Sequence, residues 1–242
     1  MTTGVLLIHA FPVDATMWAA QASGSRTITP NLPGFGGSTA AEGGVMTMEL
    51  GARRCVEALD EAGLDRAMVC GLSMGGYVAF ELWRRARDRI AGLVLANTRS
   101  GADTPEAAAA RRELAARLGS EGNVLVASPP PLLSSDAPRE LWDQVRGWIG
   151  EQPATSIAAA ALGMAERPDS TPDLATIDVP TLVITSDQDT LIPPELTTPM
   201  ADQIPGARLA VLAGAGHLSN VQDPDGFGAL LDEHAGRCGA ER

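Results

Sequence analysis

Ser73 lies in Gly71-Leu72-Ser73-Met74-Gly75, a G-x-S-x-G pattern set between an apolar run ending at Cys70 and a helical pattern opening near Gly76. A serine hydroxyl is a poor nucleophile until a base takes its proton, and the base works best when an acid orients it. The two glycines permit a sharp strand-to-helix turn with the Ser73 hydroxyl exposed, and the N-terminus of the following helix favours developing negative charge there. A Gly-rich turn with no chemical duty is the plain alternative. As base, His217 stands out in the small-residue loop Gly214-Ala215-Gly216-His217. His234 falls in a helical pattern over 227–234, where a surface or helix-end position is expected. Asp187 and Asp189 both follow the apolar run Thr181-Leu182-Val183-Ile184, and spacing alone does not choose between them. The scattered histidines have no metal-ligand spacing, so no metal is expected.

These residues need a scaffold. Short apolar runs alternate with helical periodicity, the pattern of an α/β fold whose parallel sheet is covered by helices. Strands are expected over 5–8, 26–29, 67–70, 92–96, 181–185 and 208–212, and their unbroken apolar character suits burial on both faces. Helical spacing covers 48–62 and 75–87. From residue 98 to 176 the alternation stops. That stretch is rich in Ala, Arg and Glu, is broken by Pro129-Pro130-Pro131 and Pro153, and reads as three or four short helices inserted between two strands. Such an insertion can roof a site at the carboxyl ends of the strands. The expected organisation is a core of 1–97 and 177–242 with a helical cap over 98–176.

Composition excludes several functions. The net charge is −12 over 242 residues, contrary to the clustered cations that nucleic acid or an anionic membrane surface requires. All 18 basic residues are Arg, so a Schiff-base lysine, a Ser-Lys pair and a phosphate-binding loop lysine are ruled out. Cys55, Cys70 and Cys238 form no C-x-x-C pair and are odd in number, which favours a reducing, cytoplasmic setting. No apolar run is long enough to span a membrane or serve as a signal peptide.

The chain resembles the α/β-hydrolase superfamily, in its esterase, lactonase and carbon–carbon hydrolase branch. The resemblance rests on His9-Ala10-Phe11-Pro12, Met17-Trp18, Leu32-Pro33-Gly34-Phe35-Gly36-Gly37-Ser38, Gly71-Leu72-Ser73-Met74-Gly75-Gly76, Ser186-Asp187-Gln188-Asp189 with Pro193-Pro194, and Gly216-His217. It implies a catalytic triad with Ser73 as nucleophile on a nucleophile elbow, His217 as base and Asp189 as acid. The family acid falls three residues after a usual Gly, here Ser186. It further implies an oxyanion hole from the backbone N–H groups of Phe11 and Met74, with His9 bracing that turn. Three departures stand out: Ala10 replaces a usual Gly, Asn31 a usual Asp, and only eight residues precede His9 where the family has two further strands. The sheet would then have about six strands and an exposed edge near 26–29. A second copy covering that edge, giving a homodimer, is the partner expectation.

The resulting expectation is a serine hydrolase without metal or cofactor, acting on a small-molecule ester or lactone. Trp18, Leu133, Trp148 and Leu162 are the candidate substrate-lining residues, with Arg99 and Arg139 as candidate partners of a substrate carboxylate. For either arginine a solvated surface place is the commoner fate. Carbon–carbon bond or thioester hydrolysis would use the same triad, and a non-catalytic ligand-binding protein could keep the fold.

Overall fold

A computed structural model describes residues 1–241 of the 242-residue chain. Six strands, β1 (Thr3–Ile8), β2 (Thr27–Ile28), β3 (Arg66–Leu72), β4 (Ile90–Ala96), β5 (Thr181–Ser186) and β6 (Arg208–Leu212), form one sheet in the order β2-β1-β3-β4-β5-β6. Every pairing is parallel, so the expected mostly parallel sheet is parallel throughout. The inner strands are buried almost completely because helices cover both faces: α1 (Met48–Glu61), α2 (Met74–Ala86) and, near the C-terminus, α9 (Pro224–Arg237). Their starts follow local chemistry. Thr47 Oγ1 caps α1 by accepting from the N–H of Leu50 at 3.1 Å, and Asp223 caps α9 by accepting from Gly226 at 3.0 Å, with Pro224 in the first turn.

Both sheet edges differ from the sequence reading. The strand expected over 26–29 shrinks to two residues, because Pro30 follows it and cannot donate to a ladder. An edge so short presents few open backbone groups. Beside it, Arg26 pairs with Glu241, whose N–H donates to Thr3 O at 3.1 Å. At the other edge β6 is covered on one face only, leaving Leu209 and Val211 about half exposed where double-sided burial was expected.

Between β4 and β5 the chain forms α3 (Pro105–Glu121), α4 (Arg139–Gly150) and α5 (Ala154–Ala165), followed by a short 3-10 turn over Thr171–Thr176. At 17 residues α3 is longer than the short helices expected. Helices α3 and α5 pack together, and their many alanines keep few bulky side chains between the axes. Short helices α6 (Pro194–Thr197) and α7 (Pro199–Gln203) follow β5, and α8 (Ser219–Gln222) precedes α9. No helix among the described residues is long and apolar enough to cross a membrane.

Candidate active site

Ser73, Asp189 and His217 lie just beyond the carboxyl ends of β3, β5 and β6, where a parallel sheet gathers functional loops. Ser73 occupies the one-residue corner between β3 and α2 with φ +55° and ψ −114°, a conformation that costs a side-chain-bearing residue strain energy. Its surroundings enforce that corner. A β-carbon on Gly71 would strike the backbone of Gly75, and one on Gly75 would strike the carbonyl of Ile8 in β1. The Ser73 N–H is tied to Ala96 O at 2.9 Å and its carbonyl accepts from Thr98 Oγ1 at 2.8 Å, so β4 holds the corner from below.

Geometry separates the two aspartates that spacing left equivalent. Asp187 is exposed and accepts from the N–H of Gly214 at 2.7 Å. Asp189 is buried and accepts from His217 Nδ1 at 2.8 Å. It also accepts from the N–H groups of Leu191 and Ile192, each at 2.9 Å, and from Asn97 Nδ2 at 3.0 Å. Burial alone would raise its pKa, but the hydrogen bond and charge of His217, with the Ile192 and Asn97 bonds, hold it below the ordinary carboxylate value. An ionised carboxylate only accepts, so the proton of His217 sits on Nδ1. Nε2 of the same ring is buried without a hydrogen-bond partner and is not yet bonded to the Ser73 hydroxyl.

Asn97 is the functional residue that sequence reasoning missed. It follows β4 with φ +43°, is fully buried, and links three elements. Besides Asp189, its Nδ2 donates to Ser186 Oγ at 2.6 Å, while its Oδ1 accepts from Ser219 Oγ at 2.6 Å. Ser186 Oγ in turn donates to Gly216 O at 2.6 Å, beside His217. An asparagine at a strand's carboxyl end, tolerant of left-handed backbone and rich in donors, was the available signal.

Met74 begins α2 and Phe11 follows β1, and neither backbone N–H has a protein acceptor among the described residues. His9, below Phe11, is fully buried: its Nε2 accepts from the N–H of Leu32 at 3.0 Å and its Nδ1 donates to Ala10 O at 3.0 Å. Burial lowers its pKa to about 4, so it is neutral at neutral pH and bridges two loops. Ala10 causes no backbone strain, since only Ser73 and Asn97 among the non-glycine described residues have positive φ. Asn31 ties its loop to the turn after β1, accepting from the N–H of Ala15 at 2.9 Å, and closes the loop itself by donating to Gly36 O at 3.1 Å.

A cavity of about 230 Å³ opens onto Ser73, floored by Phe11 and roofed by α3 and α5 through Arg111, Leu114 and Met164. The four expected lining residues lie elsewhere. Trp18 is wholly buried against Phe227, with ring centroids 5.7 Å apart. Leu133 lines a separate groove with Trp142 and Gln188. Trp148 on α4 and Leu162 on α5 are half-buried and do not reach the cavity, whereas Met164, two residues along α5, does. Helical periodicity explains the last difference: two positions on a helix point about 200° apart. Arg139 is 88% exposed in its side chain and faces solvent, while Arg99 lines the cavity. His234, expected at the surface or at a helix end, lies in the last turn of α9 but is buried, with Nε2 donating to Pro180 O at 3.3 Å.

A sequence profile of the alpha/beta hydrolase family matches residues 5–230, and the chain belongs to that family. Among solved structures it is similar to a thermophilic esterase from Thermogutta terrifontis, solved with malate bound, at 39% identity and TM-score 0.92, covering 98% of this chain and 92% of that one. It is also similar to an enol-lactonase from Burkholderia xenovorans LB400 at 26% identity and TM-score 0.86, with coverage of 98% and 92%. A pimeloyl-[acyl-carrier protein] methyl ester esterase from Aromatoleum aromaticum is 29% identical over 248 residues, 95% of this chain and 96% of that protein.

Proposed function

We propose that the protein is a serine hydrolase that cleaves a small-molecule ester or lactone through an acyl-enzyme, without a metal ion. The observation that carries this reading is the buried His217–Asp189 hydrogen bond with Nε2 left unpartnered, at the same end of the sheet as the strained Ser73 corner. His217 Nε2 takes the Ser73 proton as Oγ attacks the carbonyl carbon, and Asp189 stabilises the imidazolium that forms. The N–H groups of Met74 and Phe11 hold the tetrahedral oxyanion, and each such donor contributes on the order of 3 kcal/mol. His217 then protonates the leaving alkoxide, activates a water, and the acid departs. The relatives named as esterases and a lactonase support the same reading.

The test is turnover of p-nitrophenyl esters of graded chain length and of small lactones by the purified protein and its Ser73→Ala variant. The reading expects hydrolysis that disappears in the variant. Hydrolysis that survives in Ser73→Ala, or ester and lactone panels untouched by the native protein, would contradict it.

A further inference from the structure

One side-chain cluster beside the cavity is out of charge balance. Asp103, whose side chain is wholly inaccessible, is held by three arginines: Arg99 Nη2 at 2.5 Å, Arg111 Nε at 2.5 Å and Arg167 Nη1 at 2.8 Å. Three cations against one anion leave a net charge of +2 in a chain whose overall charge is −12. Arg167 is spent structurally. It is almost fully buried, gives further bonds to Met164 O and Gly101 O at 2.9 Å each, and lies over the Tyr77 ring at 4.1 Å. Arg99 and Arg111 are different: both line the cavity that holds Ser73, each with 24% of its side chain accessible. Arg111 bonds Asp103 through Nε alone, so both terminal nitrogens of its fork are unused by the protein, and Arg99 Nε is buried without a partner. No Asp or Glu lines this cavity among the described residues.

A cluster that only pinned the inserted helices would need one cation per carboxylate, and an uncompensated buried charge is costly. Here Asp103 instead holds Arg111 by its inner Nε and Arg99 by one terminal nitrogen, Nη2, and leaves the remaining terminal nitrogens of both without a protein acceptor among the described residues beside the site, a geometry suited to a planar carboxylate. We propose that Arg99 and Arg111 form a carboxylate-binding subsite, so that the substrate is a small ester or lactone carrying its own carboxylate, such as a half-ester of a dicarboxylic acid. This rests on the hydrolase reading above for the reaction and on the arginine cluster alone for the anion.

The test compares p-nitrophenyl hydrogen glutarate with neutral p-nitrophenyl pentanoate, which have equal acyl chain length. In the native protein the anionic ester should have the higher kcat/KM by about tenfold or more, and that preference should shrink as salt rises. Arg111→Gln should cut the anionic-to-neutral ratio at least about tenfold, chiefly through KM, and Arg99→Gln should cut it less. Asp103 keeps two arginines in either variant, so both should fold, and Arg146→Gln, on α4 outside the cavity lining, should leave the ratio alone. A native ratio near one, or a ratio unmoved by both cavity arginines, would overturn the proposal. If the native protein hydrolyses neither ester, the hydrolase reading falls, and calorimetric titration with glutarate decides the subsite separately. Binding weakened at least about fivefold in Arg111→Gln would support it, and absence of binding to the native protein would refute it.

Discussion

The floor and the roof of the cavity are built on opposite electrostatic plans. The floor, made by the ends of β3, β4, β5 and β6, is a polar network in which Asp189 receives four hydrogen bonds and Asn97 three links, with the His217 Nε2 left over. The roof, made by the inserted segment, keeps an excess of guanidinium charge around Asp103 and leaves several donors unused. In the proposed hydrolase, the densely bonded floor would fix the geometry of the reaction and the unsaturated roof would select what it acts on.

That contrast can be broken in order of effect. Ser73→Ala should lower kcat/KM on any accepted ester by about 10⁵-fold or more, measured against a fold control by thermal melting. Asp189→Asn should cost about 10³- to 10⁴-fold by leaving the imidazole in the wrong tautomer, while Asp187→Asn should stay within about threefold in the same assay. Acidification should weaken the floor before the roof. The pKa of His9 is about 4 in the folded chain against about 6.5 unfolded, so the unfolded chain binds the proton first and stability falls as pH drops through that window. The loss should reach about 3 kcal/mol near pH 4 by urea unfolding. Buried His234, also lowered by burial, adds to it in the same direction. Asp103 works in the same direction but in a lower window: burial would raise its pKa but Arg111 and Arg167 hold it lower, so its contribution persists until pH falls below the ordinary carboxylate value. Smallest, Asn97→Ala should cost about 1–3 kcal/mol of stability by removing one of the four bonds to Asp189 and the acceptor of Ser219, with an accompanying fall in kcat.

The floor was legible because its chemistry is spelled in contiguous residues. Gly71 to Gly75 announces the corner, and buried strands announce themselves by unbroken apolar runs, so strand ends fell within a few residues of the observed ones. Asn97 was only partly legible: an asparagine at a strand's carboxyl end hints at a left-handed corner, but nothing in the sequence says that it will bridge to positions 186, 189 and 219. The roof was nearly opaque. Arg99, Asp103, Arg111 and Arg167 lie up to 68 positions apart along the chain and meet only through the packing of α3 on α5 and the following turn. Choosing lining residues by size and apolarity also failed there, because Trp18 is packed away in the core and Leu133 lines a separate groove, while other large apolar residues, among them Tyr77, Leu114 and Met164, face the cavity.

Covalent labelling tests whether Ser73 is the activated nucleophile that the proposed reaction needs. The protein is treated with a fluorophosphonate, cleaved after arginine and mapped by mass spectrometry. Cleavage after Arg66 and Arg84 releases residues 67–84, in which Ser73 is the only serine. One adduct per chain is expected, placed on Ser73, absent in Ser73→Ala and formed much more slowly in Asp189→Asn. An unlabelled native protein, or label carried by another residue with Ser73 untouched, would contradict it.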